Sequence, residues 1–245
     1  MKPLEILYED KSCLILNKPA GLAVQGGKGV SVSLDDLLAK TYSPRPLLVH
    51  RLDRDTSGII LVAKTKDDAR LFSGLMGNGI AKRYLAICAG RPKTDSGVIR
   101  LDIEAHGRMQ KSETRFKVLE SINSQGGLNS QDGRNNLHDT EGKYSIPTEF
   151  SLLELELGTG RMHQIRRHLA MIGTPIVGDD KYGDFALNKY LRKSMKVKRL
   201  LLHAYSLSIP AISGRPPLDQ KAPLPEYFKE SILEFFSSFK GQSQF

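Results

Sequence analysis

Tryptophan is absent from this chain, and only two of its 245 residues are cysteine. Cys13 and Cys88 both lie inside apolar, strand-like runs. Thiols in such settings read as small core residues of a cytoplasmic protein, not as a disulfide framework or a metal pair. No apolar run reaches the roughly 18 residues of a membrane-spanning helix. The first six residues, Met1-Lys2-Pro3-Leu4-Glu5-Ile6, lack the apolar stretch of a signal peptide. Internal repeats are missing as well. Gly26-Gly27-Lys28-Gly29 has neither the Gly-Lys-Ser/Thr ending nor the following helix of a phosphate loop. His163 and His168, five residues apart, fall on different helix faces with no acidic residue between them, which makes them poor zinc ligands.

What is present is a chain long enough for an ample core, with 40% hydrophobic and 26% charged residues. Its formal net charge of +9 attracts polyanions through counterion release, and nucleic acid is the usual partner.

Residues 4–9 and 12–17 read as two strands joined at Asp10-Lys11, followed by the turn Lys18-Pro19-Ala20-Gly21-Leu22. Ser33-Leu34-Asp35-Asp36 and Thr65-Lys66-Asp67-Asp68 are capping boxes that open two helices. Ala69, Phe72, Leu75 and Met76 give the second helix an apolar stripe. Strands are predicted over 59–64, 82–88, 97–104, 113–120 and 150–157. Polar residues dominate 123–143, predicting a flexible insertion between strands. Met162, Ile165, Leu169 and Ile172 form one helical stripe, leaving Arg161, His163, Gln164, Arg166 and Arg167 for the N-terminal and flanking surfaces. Helix N-termini already favour anions, so arginines there build an anion-seeking corner. Lys189, Arg192, Lys193, Lys196, Lys198 and Arg199 make a basic stretch without intervening acids, either phosphate-contacting or simply solvated. Pro225 opens a closing amphipathic helix through Phe228, Ile232, Phe235, Phe236 and Phe239.

The chemistry concentrates in His50-Arg51-Leu52-Asp53-Arg54-Asp55-Thr56-Ser57-Gly58, which runs straight into the apolar strand Ile59–Ala63. Asp53 is held beside a hydrophobic wall, between Arg51 and Arg54. A carboxylate there is either half of a structural ion pair or a working group, because an unpaired buried charge costs several kcal/mol.

This stretch resembles the signature of the RluA-type family of RNA pseudouridine synthases. Further segments resemble that family in the same order: Asn17-Lys18-Pro19-Ala20-Gly21, Lys82-Arg83-Tyr84, and Gly158-Thr159-Gly160-Arg161-Met162-His163-Gln164-Ile165-Arg166. Gly178-Asp179-Asp180-Lys181-Tyr182-Gly183 and Leu200-Leu201-Leu202-His203-Ala204 also look like family segments. The resemblance runs from about residue 4 to residue 204. It implies an α/β fold of the α+β type, one domain over 1–245 with a large mixed, mostly antiparallel sheet flanked by helices. The first motif begins near residue 14, so the N-terminal S4-type module of many relatives is not expected.

The activity implied is isomerisation of specific uridines in rRNA, tRNA or both, by base flipping and without cofactor, metal or redox step. Asp53 would be the nucleophile, attacking either sugar or base. Tyr84, which by its strand position alone is more often a core aromatic, would by the resemblance lie against the uracil and help remove the C5 proton. Arg166 would pair with Asp53, and Arg51 would fill the gap left by the flipped base. Arg54, Thr56, Arg161, His163, Gln164 and Arg167 complete the expected RNA contacts. The partner would be an RNA stem-loop, the enzyme a cytoplasmic monomer with no membrane. Two other classes compete: an RNA-binding domain that has lost catalysis, and a hydrolase using Asp53 on an anionic substrate. The second would need another carboxylate or a metal cluster, and the sequence offers neither.

Overall fold

The computed structural model describes residues 4–77, 79–105, 107–123, 149–212 and 214–236. Twelve strands and five helices occur among these residues, ten of the strands belonging to a large mixed sheet. The chain divides into two compact units: Met1–Tyr84 with Glu156–Gly160 and His203–Leu224, and Leu85–Leu155 with Arg161–Leu202 and Pro225–Phe245.

In the first unit, β1 (Glu5–Glu9) and β2 (Cys13–Lys18) form the expected hairpin. The Asp10 carboxylate closes its turn by accepting the backbone N–H groups of Ser12 and Cys13 at 2.7 and 2.8 Å. β2 pairs antiparallel with β4 (Ser57–Ala63), from Cys13 opposite Ala63 to Lys18 opposite Gly58. All seven residues of β4 are buried, so the run carries no polar–apolar alternation. The short β3 (Leu47–Leu48) pairs with the far end of β4. β11 (Leu202–Ile209) joins β4 in parallel, His203 opposite Ser57 and Ala204 opposite Gly58, and β12 (Leu218–Lys221) pairs antiparallel with β11.

Two helices belong to this unit. α1 (Leu34–Thr41) has the complete capping box of Ser33 and Asp36. α2 (Lys66–Leu75) is capped by the Thr65 hydroxyl, which accepts the Asp68 N–H. β5 (Ala81–Ala89) begins here and reaches Tyr84 at the unit's limit.

The second unit takes the rest of β5, β6 (Ser96–Ile99), β9 (Thr114–Asn123) and β10 (Glu149–Leu157) up to Leu155. A separate two-stranded ribbon, β7 (Ile103–Ala105) and β8 (Arg108–Gln110), interrupts the single strand expected over 97–104. The break coincides with contacts distant in sequence: the Leu101 carbonyl accepts from Ser112 Oγ at 2.5 Å and bonds His168 Nε2 at 2.9 Å. α3 (Gln164–Met171), α4 (Phe185–Ser194) and α5 (Glu226–Phe235) follow. Phe150 of β10 packs on Phe235 of α5 with ring centroids 4.7 Å apart, and burying such a ring contributes roughly 1.5–3 kcal/mol. The insertion expected at 123–143 lies outside the described residues except for Asn123, as does Phe239.

Candidate active site

The loop carrying Asp53 runs from the short β3 into β4. Asp53 is half-buried, and its carbonyl accepts the Thr56 N–H at 3.2 Å, closing the loop on itself. Histidines brace both ends. At the start, His50 Nε2 accepts the Leu61 N–H at 2.9 Å, so that nitrogen carries no proton. Burial, aided by the Lys82 charge, pulls this imidazole down to about 3. At the end, the Ser57 hydroxyl meets His203 Nδ1 at 2.9 Å. Burial brings His203 down to about 4, with the Ala222 carbonyl opposing it. Both rings are therefore neutral supports at ordinary pH.

Lys18 fastens the loop from below. Its side chain is fully buried, and Nζ donates to the carbonyls of Pro19 (3.0 Å), Leu22 (2.9 Å) and Arg54 (3.0 Å). Three N–H donors meeting three carbonyls is the pattern an ammonium satisfies completely. Burial pulls its pKa down to about 7, while the charges of Asp55 and Asp53 act to raise it. The Arg54 carbonyl also accepts the Gly21 N–H at 2.8 Å. The Lys-Pro-x-Gly turn is thus strapped to the peptide that follows Asp53. In the sequence, residues 18–22 read as a turn and belong to a segment resembling the family, but nothing there showed Lys18 to be the strap; a lysine closing the largely apolar strand Cys13–Lys18 was the local signal.

Tyr84 is 6% exposed on β5. Burial, with the charge of Asp53 second, raises its phenol well above the ordinary tyrosine range. Asp53 therefore acts electrostatically on Tyr84 across thirty residues of sequence. A phenol held this firmly in its protonated form suits stacking and hydrogen-bond donation.

In the second unit, α3 starts later than the apolar spacing predicts. Arg161 and Gln164 close a turn, Arg161 N–H to Gln164 Oε1 at 3.0 Å and Gln164 N–H to the Arg161 carbonyl at 3.1 Å. His163 then takes a left-handed conformation (φ 54°) as the N-cap residue. Met162 is consequently 54% exposed, and Ile172, past the helix end, is 36% exposed. The buried face is Ile165 and Leu169 together with Gln164, Arg166 and His168. Gln164 and Arg166 were expected on the surface and instead point inward, each with polar partners. Gln164 Nε2 donates to the Glu113 carbonyl and Thr114 Oγ1 at 2.8 and 3.0 Å.

Arg166 meets Asp179 side-on, Nε to Oδ2 and Nη2 to Oδ1, both at 2.8 Å. Asp179 is 1% exposed. Burial raises its pKa, but hydrogen bonds from Arg166 and from the backbone N–H groups of Tyr182 and Lys181 outweigh that and lower it. The Tyr182 ring lies 5.2 Å from Arg166 Cζ, and its hydroxyl meets His163 Nδ1 at 3.0 Å. Asp179 was visible in the sequence only as part of a resembling segment; its pairing across thirteen residues was not.

A sequence model described as RNA pseudouridylate synthase matches residues 12–171, which span the Asp53 loop, Tyr84 and Arg166. The chain belongs to that family. This synthase is 34% identical over 234 residues to Ribosomal large subunit pseudouridine synthase C of Rickettsia felis, covering 94% of this chain and 70% of the relative. The corresponding protein of Haemophilus ducreyi is 36% identical over 235 residues, at 94% and 68% coverage. Human RNA Pseudouridylate Synthase Domain Containing 4 has a similar structure, with TM-score 0.69 and 26% identity over 94% of this chain and 92% of that one. The chain is accordingly an isomerase that acts on RNA.

Of its expected RNA-contacting set the synthase exposes three residues, half-buries His163 and Arg167, and buries Thr56 and Gln164. Arg51 and Arg54 are exposed, Arg54 beside Asp55 at 3.2 Å. Thr56 is buried. Arg161 is exposed, with Nε 3.5 Å from the Lys111 carbonyl, and Arg167 donates to the Glu104 carbonyl at 2.9 Å. The six basic residues from Lys189 to Arg199 are all exposed. Among the described residues, no helix is long and apolar enough to cross a membrane.

Proposed function

We propose that this synthase converts specific uridines of ribosomal RNA to pseudouridine, with Asp53 as the nucleophile. The N1–C1′ bond breaks, the uracil turns, and C5 bonds to C1′; C5 gives up its proton and N1 ends protonated, so the reaction is an isomerisation. The observation that carries this reading is a half-buried Asp53 on a loop strapped by Lys18, electrostatically coupled to a buried Tyr84. Such a carboxylate is fixed in place before substrate arrives.

Extruding a stacked uridine costs a few kcal/mol, and stacking on an aromatic ring returns roughly 1–3 kcal/mol. Tyr84 takes that role, with Arg51 filling the vacated place in the RNA. Arg166 is assigned by its motif as the cation that pairs with the Asp53 carboxylate. Arg54, Arg161, His163 and Arg167, with the basic stretch around α4, contact phosphate and sugar; Thr56 and Gln164 support the loops beside them. The names of the bacterial relatives favour large-subunit rRNA over tRNA as substrate. A stem-loop substrate, a monomeric enzyme and a cytoplasmic site of action complete the reading.

Asp53→Asn tests it. Tritium release from C5-labelled uridine in rRNA and in tRNA should vanish while the protein stays folded. Turnover near that of the unaltered enzyme would remove Asp53 from the mechanism, and release from tRNA alone would reverse the substrate preference.

A further inference from the structure

The guanidinium of Arg166 meets a mount of two side chains from the turn after α3, Asp179 and Tyr182. On one edge, Asp179 takes Nε and Nη2 in a two-point contact. Such a fork fixes both the plane and the rotation of the guanidinium, which a single bond would not. The Arg166 Cζ also lies over the Tyr182 ring, 5.2 Å from the centroid. That ring is itself located by its hydroxyl's bond to His163 and by an edge-on approach of the two rings, with centroids 5.6 Å apart.

The mount is rigid because Asp179 is overdetermined. Its Oδ1 accepts the backbone N–H groups of Lys181 and Tyr182 at 2.9 and 3.0 Å in addition to Arg166. Its carbonyl accepts from Asn188 Nδ2 at 3.0 Å and from the Gly183 N–H at 3.1 Å. Asn188 Oδ1 in turn accepts the Gly178 N–H at 2.8 Å, so α4 clamps both sides of the aspartate. A planar guanidinium has five N–H donors, and Asp179 takes two of them, one from Nε and one from Nη2.

From this geometry we infer that Asp179, assisted by Tyr182, is a positioning residue of the reaction: it fixes the plane and rotation of the Arg166 guanidinium and acts only through Arg166. The inference rests on the reading above in which Arg166 belongs to the catalytic machinery. It assigns a purpose to the Gly-Asp-x-x-Tyr-Gly segment, which the proposed chemistry leaves unused. Ion pairing alone would be served by an exposed contact. A buried fork with four further bonds on the aspartate is the arrangement that orientation requires.

Asp179→Asn keeps an oxygen for the Lys181 and Tyr182 N–H groups but sets an amide N–H₂ against the guanidinium edge. Single-turnover rates at saturating enzyme should fall about 10- to 100-fold, the scale expected when a reacting group is misplaced by an ångström. RNA affinity should not change. In an Arg166→Met background, the same substitution should cause no additional fall, since its effect is transmitted through Arg166. Equal losses with and without Arg166, or weakened RNA binding at an unchanged rate, would overturn the proposal.

Tyr182 is only half-buried, so Tyr182→Leu provides the same comparison should Asp179→Asn not fold. A smaller rate loss that disappears in the Arg166→Met background is expected; a loss that persists there counts against the mount. Arg166→Met alone at the full rate would take Arg166 out of the chemistry and this inference with it. Asp53→Asn reports independently on the underlying activity.

Discussion

Gly58 and Ala204 meet where the parallel pair β4–β11 begins, and the fit leaves no room for a side chain. A Cβ on Gly58 would lie 2.7 Å from the Ala204 nitrogen and overlap its carbonyl oxygen. The glycine also adopts φ 112°, a conformation that other residues rarely take. Gly58→Ala combines overpacking with backbone strain, and should destabilise the protein by roughly 2–4 kcal/mol. Urea unfolding with an unchanged midpoint would show that β11 can retreat.

Lys18→Met keeps the length of the side chain and removes the ammonium. The carbonyls of Pro19, Leu22 and Arg54 then lose a donor together, though Arg54 keeps the Gly21 N–H. Stability should fall by about 3 kcal/mol, since buried acceptors left without partners cost about 1–3 kcal/mol each. Pseudouridine formation should fall as well, because the strap ends on the peptide after Asp53. Full activity with reduced stability would limit Lys18 to the fold.

The raised pKa of Tyr84 has a pH signature. Its folded-state value lies above the ordinary one, first through burial and then through Asp53. The resulting stability is present below the unfolded value near 10 and is lost as pH rises through the folded value. Chemical denaturation from pH 9 upward should therefore show a decline that Tyr84→Phe flattens. An identical decline in that variant would assign it to other groups.

Neither cysteine should react in the native enzyme. Cys13 is 2% exposed with its thiol pushed up to about 12 by burial and then by Asp10, and Cys88 is fully buried. A thiol reagent at pH 8 should label both only after denaturation; rapid native labelling would mean that β2 or β5 opens readily.

The sequence displayed its local features and concealed its long-range ones. β4 was readable because a strand buried throughout is an uninterrupted apolar run. Ser33 and Thr65 announced their helices because capping is a matter of three residues. The Asp53 motif is equally compact. Met162 misled because its spacing to Ile165 fits a helix, whereas the Arg161–Gln164 turn and left-handed His163 begin the helix after it. The predicted 97–104 strand failed at Leu101, whose carbonyl is taken by residues 11 and 67 positions away. The roles of Lys18 and Asp179, both inside family-like segments, stayed hidden for the same reason. Their value lies in partners that only the fold brings near, Arg54 and Arg166.

The three-carbonyl seat of Lys18 also separates two kinds of electrostatics within one enzyme. Mobile ions gather around exposed charge and scarcely penetrate a site with no solvent contact. Attraction of RNA to the basic surface should collapse as salt rises, roughly 10³- to 10⁵-fold between 50 and 200 mM if about 6–10 phosphates are contacted. The lysine seat is held by three buried hydrogen bonds to carbonyls and does not dissolve with it. At high ionic strength the synthase should therefore be an idle but fully assembled catalyst, with its Asp53 loop intact, ready to resume when the salt is diluted.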